Sequence, residues 1–219
     1  MTDAFTDELF SAPGARVVRF PMARLCVDVE RFPEDAEEPM SKVGMGMIYT
    51  RTAHGKKLRR VLDANEKREL FENYQNHHGI LTNAVKQALK EDGKALIIDC
   101  HSFPSTPLPC DVNQETPRPD FCIGTDSFHT SSQFAKIVGD CIKNKGYRLG
   151  IDMPYAGTIV PLDYYRKDHR VTSIMIEVNR SLYMNETSGT KTESFAATKE
   201  NIQSILSYIF EFFWAVCDS

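Results

Sequence analysis

Ile97-Ile98-Asp99-Cys100-His101-Ser102-Phe103-Pro104 is an apolar run that breaks off in Asp-Cys-His-Ser and is closed by a proline. Read back to Lys94, it predicts a buried strand over 94–98, and Pro104 cannot continue regular pairing. His101 then stands at the carboxyl end of what is expected to be a central strand, where open α/β sheets gather their ligands. An imidazole there, with Asp99 two residues earlier, suits a metal ligand or an acid–base group. A histidine that only hydrogen-bonds within a turn is the plainer alternative. Alternation puts Asp99 and His101 on one face and Cys100 on the other, so Cys100 reads as a buried thiol rather than a nucleophile.

Outward from this strand the pattern alternates helix with strand. Before it, Asn65 to Tyr74 is charged and helix-compatible. Between Gly79 and Glu91, the residues Ile80, Leu81, Ala84, Val85, Ala88 and Leu89 form one helical stripe, with Gly93 as its stop. After it, Phe134, Ile137, Val138, Cys141 and Ile142 form a second stripe closing at Gly146, and Tyr147 to Ile151 reads as a strand. Val171 to Val178 is the strongest strand signal, and Glu193 to Val216 reads as a long helix. Near the start, Val17 to Phe20 and Leu25 to Val29 look strand-like. The sum is an α/β fold around a mostly parallel sheet. Segments 31–64, 102–130 and 153–170 are too long for plain connections, and loops of that length are usually functional.

A chain of 219 residues can bury one sizeable core, and a single domain over 1–219 is expected. Its net charge of −4 comes without a basic face, which argues against a nucleic-acid partner. The apolar runs are short of a membrane span, so no membrane partner is expected either. Six cysteines lack metal-ribbon spacing and are too sparse for a disulfide framework, which fits reduced thiols in the cytoplasm. Gly44-Met45-Gly46 is too short for a dinucleotide loop, and no GxSxG elbow occurs.

Three further clusters carry possible chemistry. In Ile174-Met175-Ile176-Glu177-Val178-Asn179-Arg180, a carboxylate near the end of an apolar strand is costly unless it is paired or faces a cavity. Glu177 is therefore either a general base or the partner of Arg180. In Arg24-Leu25-Cys26-Val27-Asp28-Val29-Glu30-Arg31, two arginines flank a strand-like segment with Asp28 and Glu30 on one face. Such a pair suits an acidic substrate, or else ordinary surface ion pairs. In Asp152 to Pro161, proline, glycine and Tyr155 look like a rigid loop presenting a phenol to a pocket. His78, read at the start of a helix, and His129, in a loop, are weaker binding candidates.

Taken in order, Arg24…Asp28-Val29-Glu30-Arg31, Asp99-Cys100-His101-Ser102 and Ile176-Glu177-Val178-Asn179-Arg180 resemble the N-formylglutamate amidohydrolase family. Asp3…Glu8-Leu9-Phe10, Gly44 to Tyr49, His78 with Leu81, Pro119 to Gly124 and Pro154 to Pro161 extend the resemblance over nearly the whole chain. It implies a three-layer α/β/α domain similar to zinc carboxypeptidases and aspartoacylases. It also implies one Zn2+ and hydrolysis of a small acidic N-acyl amino acid, N-formyl-L-glutamate to formate and glutamate, as in histidine degradation. By this resemblance His101 is a metal ligand, and Glu177 and Arg24 are catalytic, with Arg24 polarising the scissile carbonyl; Asp3 is a further candidate ligand that the resemblance itself does not supply. Arg31, Asn179, Arg180, Tyr155 and His78 are substrate-binding.

Two departures accompany it. The family's Asn-Arg pair is here Glu30-Arg31. Its first metal ligand belongs to a Pro-His-Ser motif, whereas this sequence opens at Met1-Thr2-Asp3 and has His54 as its first histidine. The expectation is a domain without that ligand segment, binding zinc weakly and hydrolysing slowly. The rivals are a non-catalytic or metal-deficient protein that binds small acids, and a related N-acyl amino acid deacylase with another acyl group. A monomer or a small homo-oligomer is expected in each case.

Overall fold

The computed structural model describes residues 3–215. Four strands form the main sheet: β1 (Ala95–Phe103), β2 (Phe121–Gly124), β3 (Leu149–Ile151) and β4 (Val171–Asn179). Their order is β1-β4-β2-β3. The β1/β4 and β2/β3 pairs are parallel and β4/β2 is antiparallel, so the sheet is mixed. A two-stranded ribbon, β5 (Met184–Asn185) with β6 (Thr190–Lys191), lies apart from it. Helices α1 (Thr6–Leu9), α2 (Ala64–Asp92), α3 (Ser132–Asn144) and α4 (Phe195–Ala215) complete the regular structure. The last residue of the expected helix, Val216, lies outside the described residues.

Alternation along β1 and β4 sorts the layers. Leu96, Ile98, Cys100, Ile174, Ile176 and Val178 face a core shared with Phe134, Val138 and Ile142 of α3 and Ile202, Ile205 and Ile209 of α4. Each fully buried side chain of this kind contributes about 1.5–3 kcal/mol of transfer free energy. On the opposite face, Ala95, Ile97 and Val171 pack under Val85, Ala88 and Leu89 of α2. Helices thus cover both faces, as the α/β/α expectation required. The α2 contact reaches only the amino-terminal part of β1, and Asp99 and His101 lie beyond it.

Several local expectations are corrected. The helix expected to begin near Gly79 is continuous from Ala64, so His78 sits in mid-helix. Tyr74, His77, Leu81 and Val85 are its buried side chains, a stripe that crosses Gly79 and outweighs glycine's cost of about 1 kcal/mol. Asp63 and Glu66 close a capping box at its start, and Gly93, at φ 74°, ends it. Val17–Phe20 and Leu25–Val29 form no strands. Val27 and Val29 are buried against Met47 and Tyr74 instead, so their alternation reflects packing on α2 without a partner strand. β2 lies inside the expected 102–130 loop; its four residues are all buried, too short a run to show a period. β1 is an edge strand among the described residues, not a central one, and β4 is the strand paired on both sides.

Gly124 closes β2 where the 152–157 segment crosses. A Cβ there would lie 2.2 Å from the Gly157 carbonyl oxygen and 2.5 Å from Met175 Cε, so only glycine allows that approach.

Candidate active site

Where α2 leaves the sheet uncovered, the strand ends and the long loops enclose a cleft of about 850 Å³. Parallel register pairs His101 directly with Glu177, so the two expected reactive side chains stand on adjacent strands facing one cavity. Asp99 occupies the same face of β1, one step back.

His101 is held from both ring nitrogens. Its Nε2 lies 2.7 Å from Asp99 Oδ1, and Asp99 Oδ2 in turn accepts the Ile159 N–H at 3.0 Å. Its Nδ1 lies 2.9 Å from Arg24 Nη2 and 3.4 Å from Asp3 Oδ2. Arg24 is a pure donor, so the shorter contact requires a lone pair on Nδ1 and a proton on Nε2. Burial opposes charging of this imidazole, but Asp99, Asp3 and Glu30 outweigh it and raise its affinity for a second proton. That proton would sit on Nδ1 toward Asp3. A cation beside Nδ1 selects the neutral ring, which is the form the Arg24 contact matches.

Asp3 arrives from the start of the chain and is fixed by the Ser102 N–H, 2.9 Å from its Oδ1. Burial would raise its carboxyl, yet His101 and Arg24 hold it well below the usual carboxylate range. Glu177 is 8 % exposed, and its Oε2 is buried without a hydrogen-bond partner. Burial pushes its pKa from 4.5 to about 7, partly offset by His101 and Arg24. Arg180 does not neutralise it in the manner of a simple salt bridge: its Nε donates to Ser102 Oγ at 3.1 Å and its Nη2 to the Ser102 carbonyl at 2.9 Å.

The two arginines expected to converge do so through Asp28, which is completely buried. Asp28 Oδ2 accepts the Tyr49 hydroxyl at 2.5 Å and lies 3.8 Å from Arg24 Nη1 and 3.5 Å from Arg31 Nε. Its Oδ1 accepts the Glu30 N–H at 3.0 Å, which turns Glu30 and Arg31 into the cleft. From α2, Tyr74 donates to the Arg31 carbonyl at 3.0 Å and His78 Nε2 to the Val29 carbonyl at 2.9 Å. His78 lines the cleft through a buried Nδ1 that has no partner.

The remaining expected residues divide. Tyr155 lines the cleft, with its hydroxyl tied to Arg118 and Asp111. Asn179 is not brought there: its amide donates to the Pro119 carbonyl and accepts from Ser181, capping the turn after β4. His129 is consumed structurally, donating from Nδ1 to the Val171 carbonyl at 2.7 Å and accepting the Arg166 N–H on Nε2 at 2.8 Å. Cys100 packs into the α3/α4 core, where burial pushes its thiol up. The hub role of Asp28 was missed. Its signal is an acid bracketed by arginines four residues before and three after.

Two donors are spaced for a divalent cation, and the Arg24 guanidinium lies against both, 2.9 Å from His101 Nδ1 and 3.4 Å from Asp3 Oδ2. Two zinc ligands at about 2.0–2.1 Å and a tetrahedral angle stand about 3.4 Å apart, which is the His101 Nδ1–Asp3 Oδ2 separation. Glu30, Asp99 and His101 also cluster, with ligand atoms within 4.8 Å of one another. In that cluster the 2.7 Å Asp99–His101 contact is a hydrogen-bond distance, which marks Asp99 as the partner that orients the ring. Glu30 Oε2, 3.7 Å from Nε2, is the alternative carboxylate ligand.

The profile of the N-formylglutamate amidohydrolase family matches residues 1–184. No curated protein matches the chain. Among solved structures, an N-formylglutamate amidohydrolase from Ralstonia eutropha JMP134 is 23 % identical with a TM-score of 0.70, covering 86 % of this chain and 74 % of its own. The gene product Atu2144 of Agrobacterium tumefaciens is 18 % identical with a TM-score of 0.55, covering 85 % and 68 %. At these identities the likeness is one of fold.

Proposed function

The chain belongs to the N-formylglutamate amidohydrolase family, and on that premise we propose that it hydrolyses the amide of an N-acyl amino acid with a divalent cation, N-formyl-L-glutamate being the first substrate to test. The observation that carries this is the register-paired His101 and Glu177 in a cleft that also holds Arg24 and Arg31. His101 Nδ1 and Asp3 would hold the cation, with Asp99 orienting the ring from Nε2. When bound, such an ion lowers the pKa of water and polarises a carbonyl oxygen. Glu177, poised near neutrality and unpartnered on Oε2, takes a proton from the attacking water and returns it to the leaving nitrogen. Arg24 meets the negative charge that develops on the carbonyl oxygen. Arg31 anchors the substrate carboxylate, and Asp28 fixes the angle of its guanidinium.

Formate release from N-formyl-L-glutamate by the purified chain, with and without added zinc, tests the reading. Turnover that chelation abolishes and zinc restores is expected. No release from N-formyl, N-acetyl or N-succinyl amino acids would refute it. One observation favours a second reading, a metal-free binding protein for small acids: the Arg24 guanidinium itself bridges His101 Nδ1 and Asp3. Tight binding of glutamate without any turnover would favour that alternative.

A further inference from the structure

Part of the wall of the cleft is formed by the segment that follows β1, including Leu108, Asp111 and Asn113, and by Tyr155 from the loop after β3. Neither segment contains a strand or helix. Both are tied to one side chain, Arg118, three residues before β2. Its Nη2 donates to Asp111 Oδ2 at 2.6 Å and to the Asn113 carbonyl at 3.3 Å. Its Nη1 donates to the Tyr155 hydroxyl at 2.8 Å and to the Pro104 carbonyl at 3.4 Å. The Tyr155 hydroxyl accepts from Arg118 and donates to Asp111 Oδ2 at 3.1 Å. The Leu108 N–H meets the same oxygen at 2.8 Å. The guanidinium carbon lies 5.8 and 5.4 Å from the ring centroids of Phe103 and Tyr155.

We propose that Arg118, acting with Asp111, is a positioning residue that sets the substrate-facing wall of this cleft by locking the Tyr155 phenol and the 108–113 segment into one arrangement. The proposal rests on the amide-hydrolase reading of the same cleft. The Arg118 side chain is 1 % exposed and its Asp111 partner 10 %, and the Arg118 Nε is buried without an acceptor. A buried ion pair is a poor way to gain stability, because apolar side chains of the same volume hold a loop equally well or better. What the pair supplies is direction: a planar fork donates along fixed lines, which apolar packing cannot do. Those lines end on a phenol oxygen and a carboxylate that line the cleft. Burial raises the Tyr155 pKa, Arg118 opposes that rise, and Asp111 and Glu177 add to it, so the phenol stays protonated as a fixed dipole within electrostatic reach of the base.

The test uses the full chain with Arg118→Met, Arg118→Lys, Asp111→Asn, Tyr155→Phe and the Arg118→Met/Tyr155→Phe double variant. KM for N-formyl-L-glutamate should rise at least fivefold in Arg118→Met, Asp111→Asn and Tyr155→Phe, with kcat within twofold. Arg118→Lys should fall between Arg118→Met and the unmodified chain. The double variant should be no worse than its poorer parent, because both parents break one network. Multiplying losses, or a fall in kcat with KM unchanged, would overturn the proposal. Hydrogen exchange of residues 104–113 should quicken at least tenfold in Arg118→Met while β4 keeps its protection; unchanged exchange would also overturn it. Should the unmodified chain hydrolyse no N-acyl amino acid, the functional reading fails and the exchange result alone decides the tie. Should Arg118→Met not fold, Asp111→Asn and Tyr155→Phe decide by the same criteria.

Discussion

Replacing Glu177 by glutamine should stop turnover and, at alkaline pH, make the protein more stable. The carboxylate has a partnerless buried Oε2, and burial lifts its pKa from 4.5 to about 7. A raised carboxyl pKa means that the folded state keeps its proton while the unfolded chain releases it. Below pH 4.5 both states are protonated and the residue contributes no pH-dependent term. As pH rises from 4.5 through 7, folding stability falls, and above 7 the loss is complete. The pKa difference of about 2.5, at about 1.36 kcal/mol per tenfold change, gives a penalty of about 3 kcal/mol at pH 8 and under about 1 kcal/mol at pH 5.

Glutamine keeps the shape and cannot ionise, so the advantage of Glu177→Gln should grow by about 2–3 kcal/mol between pH 5 and pH 8. Taking that pH difference cancels the cost of burying the amide itself. For a chain of this length the change corresponds to roughly 5–10 °C in Tm. Urea unfolding of both proteins at the two pH values, in chelator so that no bound cation favours the carboxylate, measures it. A stability gap that stays constant within about 0.5 kcal/mol would refute the argument that Glu177 is held ionised at a cost.

The same group should shape the rate. kcat/KM should climb with pH to a plateau above about 7, since the base works only when ionised; a flat profile from pH 5 to 8 would remove Glu177 from that role. Asp99→Asn should weaken zinc binding by roughly 10–100-fold by releasing the ring it orients, as read by competition against a coloured chelator; unchanged affinity would mean that His101 does not bind through Nδ1. Arg31→Ala should cost roughly 2–4 kcal/mol in KM for N-formyl-L-glutamate and little for an uncharged N-formyl amino-acid amide. Equal losses on both would show that Arg31 does not hold the carboxylate.

Legibility in the sequence followed the range of the interactions. The strand of His101, the strand of Glu177 and the helices that flank them carry their own periodicity, so the α/β class and the shared face of Asp99 and His101 could be read locally. The register that sets His101 opposite Glu177 could not, because pairing is fixed between strands more than seventy residues apart. For the same reason β1 was expected at the centre of the sheet and lies at its edge. Where a period had a second cause, the reading erred: Val27 and Val29 alternate because one helix face buries them.

The site shows the same division more sharply. A carboxylate near the end of an apolar strand marked Glu177 as either a base or the partner of Arg180, and Arg180 is turned toward Ser102. Asn179, two residues further on, looked equally polar and equally well placed, yet it is spent on backbone groups at a strand end. Sequence pattern cannot separate these two cases, because the difference lies in which polar atoms find partners. Asp3 adds the converse case. Its meeting with Ser102 and His101 spans almost half the chain, and no spacing rule foretells it. The partnerless oxygen of Glu177 and the satisfied amide of Asn179 are thus what distinguish a reactive position from a structural one on the same strand. That distinction is why Glu177→Gln should gain stability at pH 8, whereas a substitution at Asn179, which breaks two backbone contacts, should lose it.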